Sequence, residues 1–286
     1  MNAAIPSAIS AAPGGAGVVG RRLVQLRAVI ALSLRIALRA KRIWIIGLVL
    51  FLPVLLPLGF LIISAFVSKM PPPPNPMTIF RQIVSLVYLR VGIYVLALTY
   101  GISLISDEVE GKTLVHLLLR PIPRWIVVVG KFLSTWLLTG VLLVASVVLT
   151  YALYWITQRS AVERLKMFDL ENLRILGLDL LVMLFALSAY LALFGWLGAR
   201  LPHGERWGVV FCFGWEWLIT YLPARLKWMT LMYHVQTLFP HDVSVSRFFS
   251  LRGEPLSKTT CVAILLVVIG ISLALMTLNL KRREIR

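Results

Sequence analysis

The sequence predicts an all-α integral membrane protein with six transmembrane helices and an N-terminal amphipathic helix lying in the interface. Three observations lead there. Of its 286 residues, 59% are hydrophobic, against about 45–50% in an average soluble domain. Six apolar runs reach the roughly 20 helical residues that a bilayer core of about 30 Å requires. The cations, which give a net charge of +17, fall mostly between those runs, as loops facing anionic headgroups do. The same placement argues against nucleic acid as a partner.

Taken in order, residues 1–20 (MNAAIPSAISAAPGGAGVVG) are small, uncharged and rich in Gly and Pro. They lack the basic start and apolar core of a cleavable signal, and are expected to form a disordered cytoplasmic tail. The membrane domain then covers 21–286. Between Arg21 and Arg42, Arg21, Arg27, Arg35, Arg39 and Arg42 fall on one helical arc. Leu23, Leu26, Val29, Ile30, Leu34 and Ile36 fall on the opposite one, with Val24 and Leu38 breaking the pattern. Residues 21–42 therefore read as an interfacial helix with its cations toward lipid phosphate.

The spans are expected near 43–67, 82–105, 126–156, 175–199, 207–223 and 260–280. Pro53 and Pro57 should bend the first. Pro71, Pro72, Pro73, Pro74 and Pro76 make the loop after it a stiff, extended spacer. In the last loop, residues 224–259, Leu226, Trp228, Met229, Leu231, Met232 and Tyr233 are too apolar for a linker. Short helices dipping into the membrane are expected there. Of the 29 Lys and Arg, 17 lie on the side that holds both termini and 11 on the other, with Arg90 inside a span. The denser side is expected to be the cytoplasm, in a cell (plasma) membrane. Cys212 and Cys261 lie at or within apolar runs and form no metal-spaced cluster, so two buried thiols are expected.

Residues 106–125 interrupt the apolar pattern with a charged, proline-broken insert. Asp107 and Glu110 have capping-box spacing. Leu114, Leu117 and Leu118 then share a helical face, and Pro121 and Pro123 end the helix. Arg124 and Trp125 mark the water–lipid boundary, and Lys131 can snorkel back to it as a membrane anchor. A short amphipathic helix at the cytoplasmic surface, attached to both neighbouring spans, is the expected result.

Two charges fall inside spans, where each is a functional candidate. Arg90 is 8 residues from the outer end of the second span and Glu216 is 7 from that of the fifth. At the rise of an α-helix these are depths of about 12 and 10 Å, so the two residues can pair. The alternative leaves Arg90 snorkelling alone and Glu216 in an interface belt with Trp215 and Trp217. Asp179 lies near enough to its span's outer end to be solvated. His116, His203, His234 and His241 form no HExxH, and no GxSxG occurs.

The insert resembles the signature of the ABC type-2 permeases, the membrane subunits of one class of ATP-driven exporters. The matching positions are Glu108 or Glu110, Gly111, Thr113, Leu114, Leu117, Leu118, Pro121, Arg124, Gly130 and Lys131. Lys112, inserted between Gly111 and Thr113, departs from the pattern. Six spans, an N-terminal interfacial helix and a long last outer loop extend the likeness along the chain. The resemblance implies a permease subunit that exports an unidentified substrate, with Glu108 to Arg124 seated in a groove of a separate ABC ATPase. It implies a homodimer or a heterodimer with a similar permease, embedded in membrane lipids. It also implies that the second and fifth spans, with Arg90 and Glu216, line the translocation path, and that the last outer loop forms a re-entrant helical pair. No GxxxxGK[ST] is present, so no cofactor is expected in this chain; ATP and Mg would belong to the partner. The alternative is a stand-alone secondary transporter or channel, against which no pair of broken helices stands in corresponding halves. A membrane-embedded enzyme lacks a nucleophile placed beside a base.

Overall fold

The computed structural model describes residues 15–39, 42–66, 76–104, 123–158, 161–201, 203–220, 228–241 and 256–283, and no strand occurs among them. Five helices are long and apolar enough to cross a membrane: Ile46–Ile63, Met77–Leu104, Arg124–Thr157, Leu170–Arg200 and Lys258–Leu280. A sixth helical run occupies 204–220, where the fifth span was expected.

Helix α1, Gly15–Arg39, begins six residues before the expected Arg21 and packs along the third span. Gly130 makes that seat. A Cβ there would stand 2.8 Å from Cγ1 of Val29 and 3.4 Å from Cδ1 of Leu26. The first span follows as Arg42–Phe51, a 3-10 turn at Leu52–Val54 and Leu55–Phe66. The break sits at Pro53, which has no N–H to give. Pro57 falls in the first turn of the restarted helix, where an amide has no intrahelical acceptor, so it costs little there. The carbonyl of Leu50, just before the break, accepts from Oγ of Ser146 at 2.6 Å. Ser146 and Thr150 in turn meet the Tyr88 hydroxyl, each at 2.7 Å. A buried polar chain thus joins the first three spans where the first is broken.

The second span is wound unusually. It runs Pro76–Ile83 as α-helix, Val84–Gly92 as π-helix, Ile93–Leu96 as α-helix and Ala97–Gly101 as π-helix. It starts at Pro76, earlier than the expected residue 82, because proline is well suited to the first helical position. The fifth run is similar: Gly204–Val209 and Trp217–Thr220 flank a π segment at Val210–Glu216. The third span (Arg124–Thr157), the fourth (Leu170–Arg200) and the sixth (Lys258–Arg283) are unbroken α-helices.

The core lies between the second, third and fourth spans, where Leu89, Ile93, Leu143, Val147, Met183 and Leu187 are wholly buried. At the end of the bundle that carries Leu104 and Arg124, contact is backbone to backbone. A Cβ on Gly198 would fall 2.3 Å from the carbonyl oxygen of Ile102, and one on Gly208 would fall 2.5 Å from Cδ2 of Leu98. Small residues permit this close approach where lipid gives no hydrophobic drive to associate.

Between the fifth and sixth spans lies α2, the short helix Leu231–Leu238. Leu231, Met232, Tyr233, His234 and Val235 are all buried. Leu231–Val235 is thus inserted into protein, whereas Trp228 and Met229 just before it are exposed and Leu226 lies outside the described residues.

Candidate functional site

Among the described residues, two places bear most directly on function. The first is the mouth of the 106–125 insert. Glu108, Glu110, Gly111, Thr113, Leu114, Leu117, Leu118 and Pro121 lie outside the described residues; Leu104, just before the insert, and residues 123–125, at its end, lie within them. Lys131 Nζ donates to the carbonyl oxygen of Leu104 at 2.9 Å. That oxygen belongs to the last described turn of the second span. Lys131 therefore ties the third span to that turn of the second. Arg124 opens the third span, partly buried, with Pro123 at the N-cap position. Gly130, next to this tie, carries α1. Three helices consequently meet at two adjacent residues.

The second place is the bundle interior around Glu216, which is only 4% exposed. Tyr94 of the second span donates its hydroxyl to Oε2 of Glu216 at 2.6 Å, and Tyr190 of the fourth donates to the same oxygen at 2.9 Å. The two rings cross edge to face at 5.1 Å between centroids. Main-chain N–H groups of Leu231 and Met232, the first residues of α2, also face the carboxyl. Cys212, one turn before Glu216, is buried beside this node, and Cys261 is buried in the sixth span.

Glu216 is held by two tyrosine hydroxyls on Oε2, and the first amides of α2 face its carboxyl. Arg90 lies one turn before Tyr94 and is half-buried, with interactions of its own.

Asp179 departs from expectation. It is 1% exposed rather than solvated, and its Oδ1 lies 3.5 Å from Nδ1 of His241. His241 follows α2 closely in sequence and covers the end of the fourth span that was assumed open. Arg81 of the second span faces the same small cavity as Asp179. Among the described residues, no group of three or more His, Cys, Asp or Glu gathers to hold a metal ion.

On the outer face of the fifth run, an apolar groove of about 650 Å3 is lined by Leu197, Trp207, Phe211, Phe213, Trp215 and Leu218, among others. Glu216 points away from it, into the bundle. Sequence reasoning missed Tyr94, Tyr190 and the role of Gly130. A signal for the tyrosines was present, since both lie well inside spans, away from the interface belts where tyrosine is usually found.

Long apolar helices packed around a sealed polar node define the class, a multi-pass membrane protein. Over residues 27–285 the chain matches the ABC-2 family transporter proteins. It belongs to that family and is the membrane component, the permease, of an ABC transporter. Such components work with an ABC ATPase and are generally not catalytic themselves. No curated protein matches the chain.

Proposed function

We propose that this permease is an exporter subunit in the cell membrane, with both termini cytoplasmic, driven by a separate ATPase chain that holds ATP and Mg. Two permease chains, identical or similar, would form the membrane unit. Residues 106–125 dock in the ATPase, with Glu108, Glu110 and Arg124 presenting charge around the Leu114, Leu117 and Leu118 face. The second and fifth spans, which carry Arg90 and Glu216, line the path once the subunit opens.

The observation that carries this reading is the junction at Gly130 and Lys131. A push on the insert reaches the second span through the Lys131–Leu104 bond. It reaches the third span directly, and α1 through Val29 at Gly130. A partner that binds two states of the insert differently can therefore bias three helices at once. The test is affinity purification in mild detergent. An ABC ATPase should accompany the wild-type chain, and Glu110→Lys should weaken that capture by about 1–3 kcal/mol, the scale of a desolvated charged contact. Recovery of the chain without any ATPase, or undiminished capture by Glu110→Lys, counts against it.

A further inference from the structure

We infer that Glu216 and Asp179 are positioning residues that clip the two ends of α2 into the bundle, and that transport requires those clips to open. The inference rests on the transporter reading above and adds to it a named moving part.

The N-terminal end of α2 is held first. Thr230 stands at its N-cap position and makes no side-chain cap. The N–H groups of Leu231 and Met232 face the Glu216 carboxyl instead, so a residue from another span serves as the cap. A carboxylate suits that place, because the first amides of a helix are unpaired donors at its positive end. The same carboxylate accepts from Tyr94 and Tyr190. One buried group therefore ties α2 to the second, fourth and fifth spans.

The other end is held separately. Asp179 of the fourth span lies 3.5 Å from His241, just beyond the last turn of α2, an approach of charge to ring rather than a hydrogen bond. The His241 ring also lies edge to face with Phe239, at 5.8 Å between centroids. Between the two clips α2 is buried along its first five residues. Apolar packing alone would hold a permanent plug there. Two polar ties, from two different spans, give instead a single well-defined closed position that can be left by breaking a few bonds.

The winding of the helices shows how they would break. Glu216 is the last residue of the π segment of the fifth run. Tyr94 lies in the short α stretch between the two π segments of the second span. Within the described residues, π-winding occurs only in these two spans, and π segments inside α-helices often mark functional positions. Rewinding such a segment to α-helix changes register by a fraction of a turn, about 100° for one residue. That rotation carries Glu216 away from the α2 amides without unfolding either span.

Two measurements test this. The first uses the full chain in detergent and needs no ATPase, so it stands even if the transporter reading falls. Hydrogen exchange at the amides of residues 231–235 is compared in wild type, Glu216→Ala and Glu216→Asp. At least tenfold faster exchange in Glu216→Ala, with part of the protection regained in Glu216→Asp, supports the clip; unchanged exchange overturns it. The second uses the permease–ATPase complex in lipid nanodiscs. Asp179→Cys and His241→Cys are combined, then bridged by a short, cleavable thiol reagent, with wild type treated alongside. ATP turnover should fall at least tenfold on bridging and return on cleavage. Undiminished turnover in the bridged complex would show that α2 is a fixed plug and overturn the inference.

Discussion

The third span and the second are neighbouring apolar helices, yet they differ in how regular they stay and in what their polar groups reach. In the third, several hydroxyls turn back on their own helix: Ser134 bonds the carbonyl of Lys131, Thr139 that of Thr135 and Thr150 that of Ser146, and Ser146 also reaches the first span. The helix stays regular for 34 residues. In the second, Tyr88 reaches the third span and Tyr94 reaches the fifth. Its helix leaves α geometry twice. The fifth run behaves like the second. A span that stays α-helical along its whole length can serve as a frame. A span that leaves α geometry where its tyrosines reach its neighbours depends on their positions and changes when they change.

This contrast can be broken most severely where the two kinds of span touch. Gly198→Leu places a side chain against the Ile102 carbonyl, with the first carbon already 2.3 Å away. Because the obstacle is backbone, the cost should exceed about 3 kcal/mol, the upper part of the usual range for overpacking. Thermal unfolding in detergent should show it, and a wild-type melting curve would refute the close crossing.

The polar node should come next. Glu216→Ala leaves two hydroxyls and two amides without their common acceptor, at a cost of about 2–4 kcal/mol. A sharper version compares two double-mutant cycles by thermal stability. The cycle of Tyr94→Phe with Glu216→Gln should give a coupling of about 1.5–3 kcal/mol, the scale for a hydrogen bond to a charged group. The cycle of Arg90→Met with Glu216→Gln tests the pair expected from sequence, and additive effects would show that the two do not interact. If the second cycle exceeds the first, the arginine governs Glu216 and the tyrosines are incidental.

Lys131→Met removes one tie between frame and moving span and should lower stability by about 1–2 kcal/mol. Its larger effect should be on coupling, seen as ATP turnover in the purified complex that no longer responds to the state of the permease. Normal stability and normal coupling together would make the Lys131–Leu104 bond dispensable. The smallest effect tests the frame itself. Gly177, in the regular fourth span, has nothing within 4 Å of where a Cβ would stand. Gly177→Ala should therefore raise stability by about 0.5–1 kcal/mol, through helix propensity alone. A loss on heating would mean that this part of the fourth span is occupied in the assembled transporter.

The regular parts of the molecule were the legible ones. Long apolar runs specify helices through composition, and Pro53 specifies a break through its missing donor, so both could be read from local sequence. The insert was legible as a segment because its charges contrast with everything around it. The Glu216 node was half legible. The cost of burying a charge pointed to the residue, but its partners come from residues 94, 190 and 231–232, and no local pattern encodes their meeting. Asp179 misled for a related reason. Distance from a span end measures solvent access only if nothing returns to cover that end, and His241 does. Nothing in the local sequence of Val84–Gly92 or Val210–Glu216 announces π-winding.

Gly130 has a consequence for biogenesis. Helix α1 is made first, but Val29 and Leu26 have their seat only once Gly130 has been made, about 100 residues later. At a synthesis rate of about 5–20 residues per second, the N-terminal helix waits about 5–20 s beside a growing chain before its docking site exists. During that interval its apolar face has only lipid or a chaperone to cover it. The arginines Arg22, Arg27, Arg35 and Arg39 of α1 would hold it at an anionic membrane surface meanwhile, so the charges that look decorative in the finished protein act as a timer for its assembly.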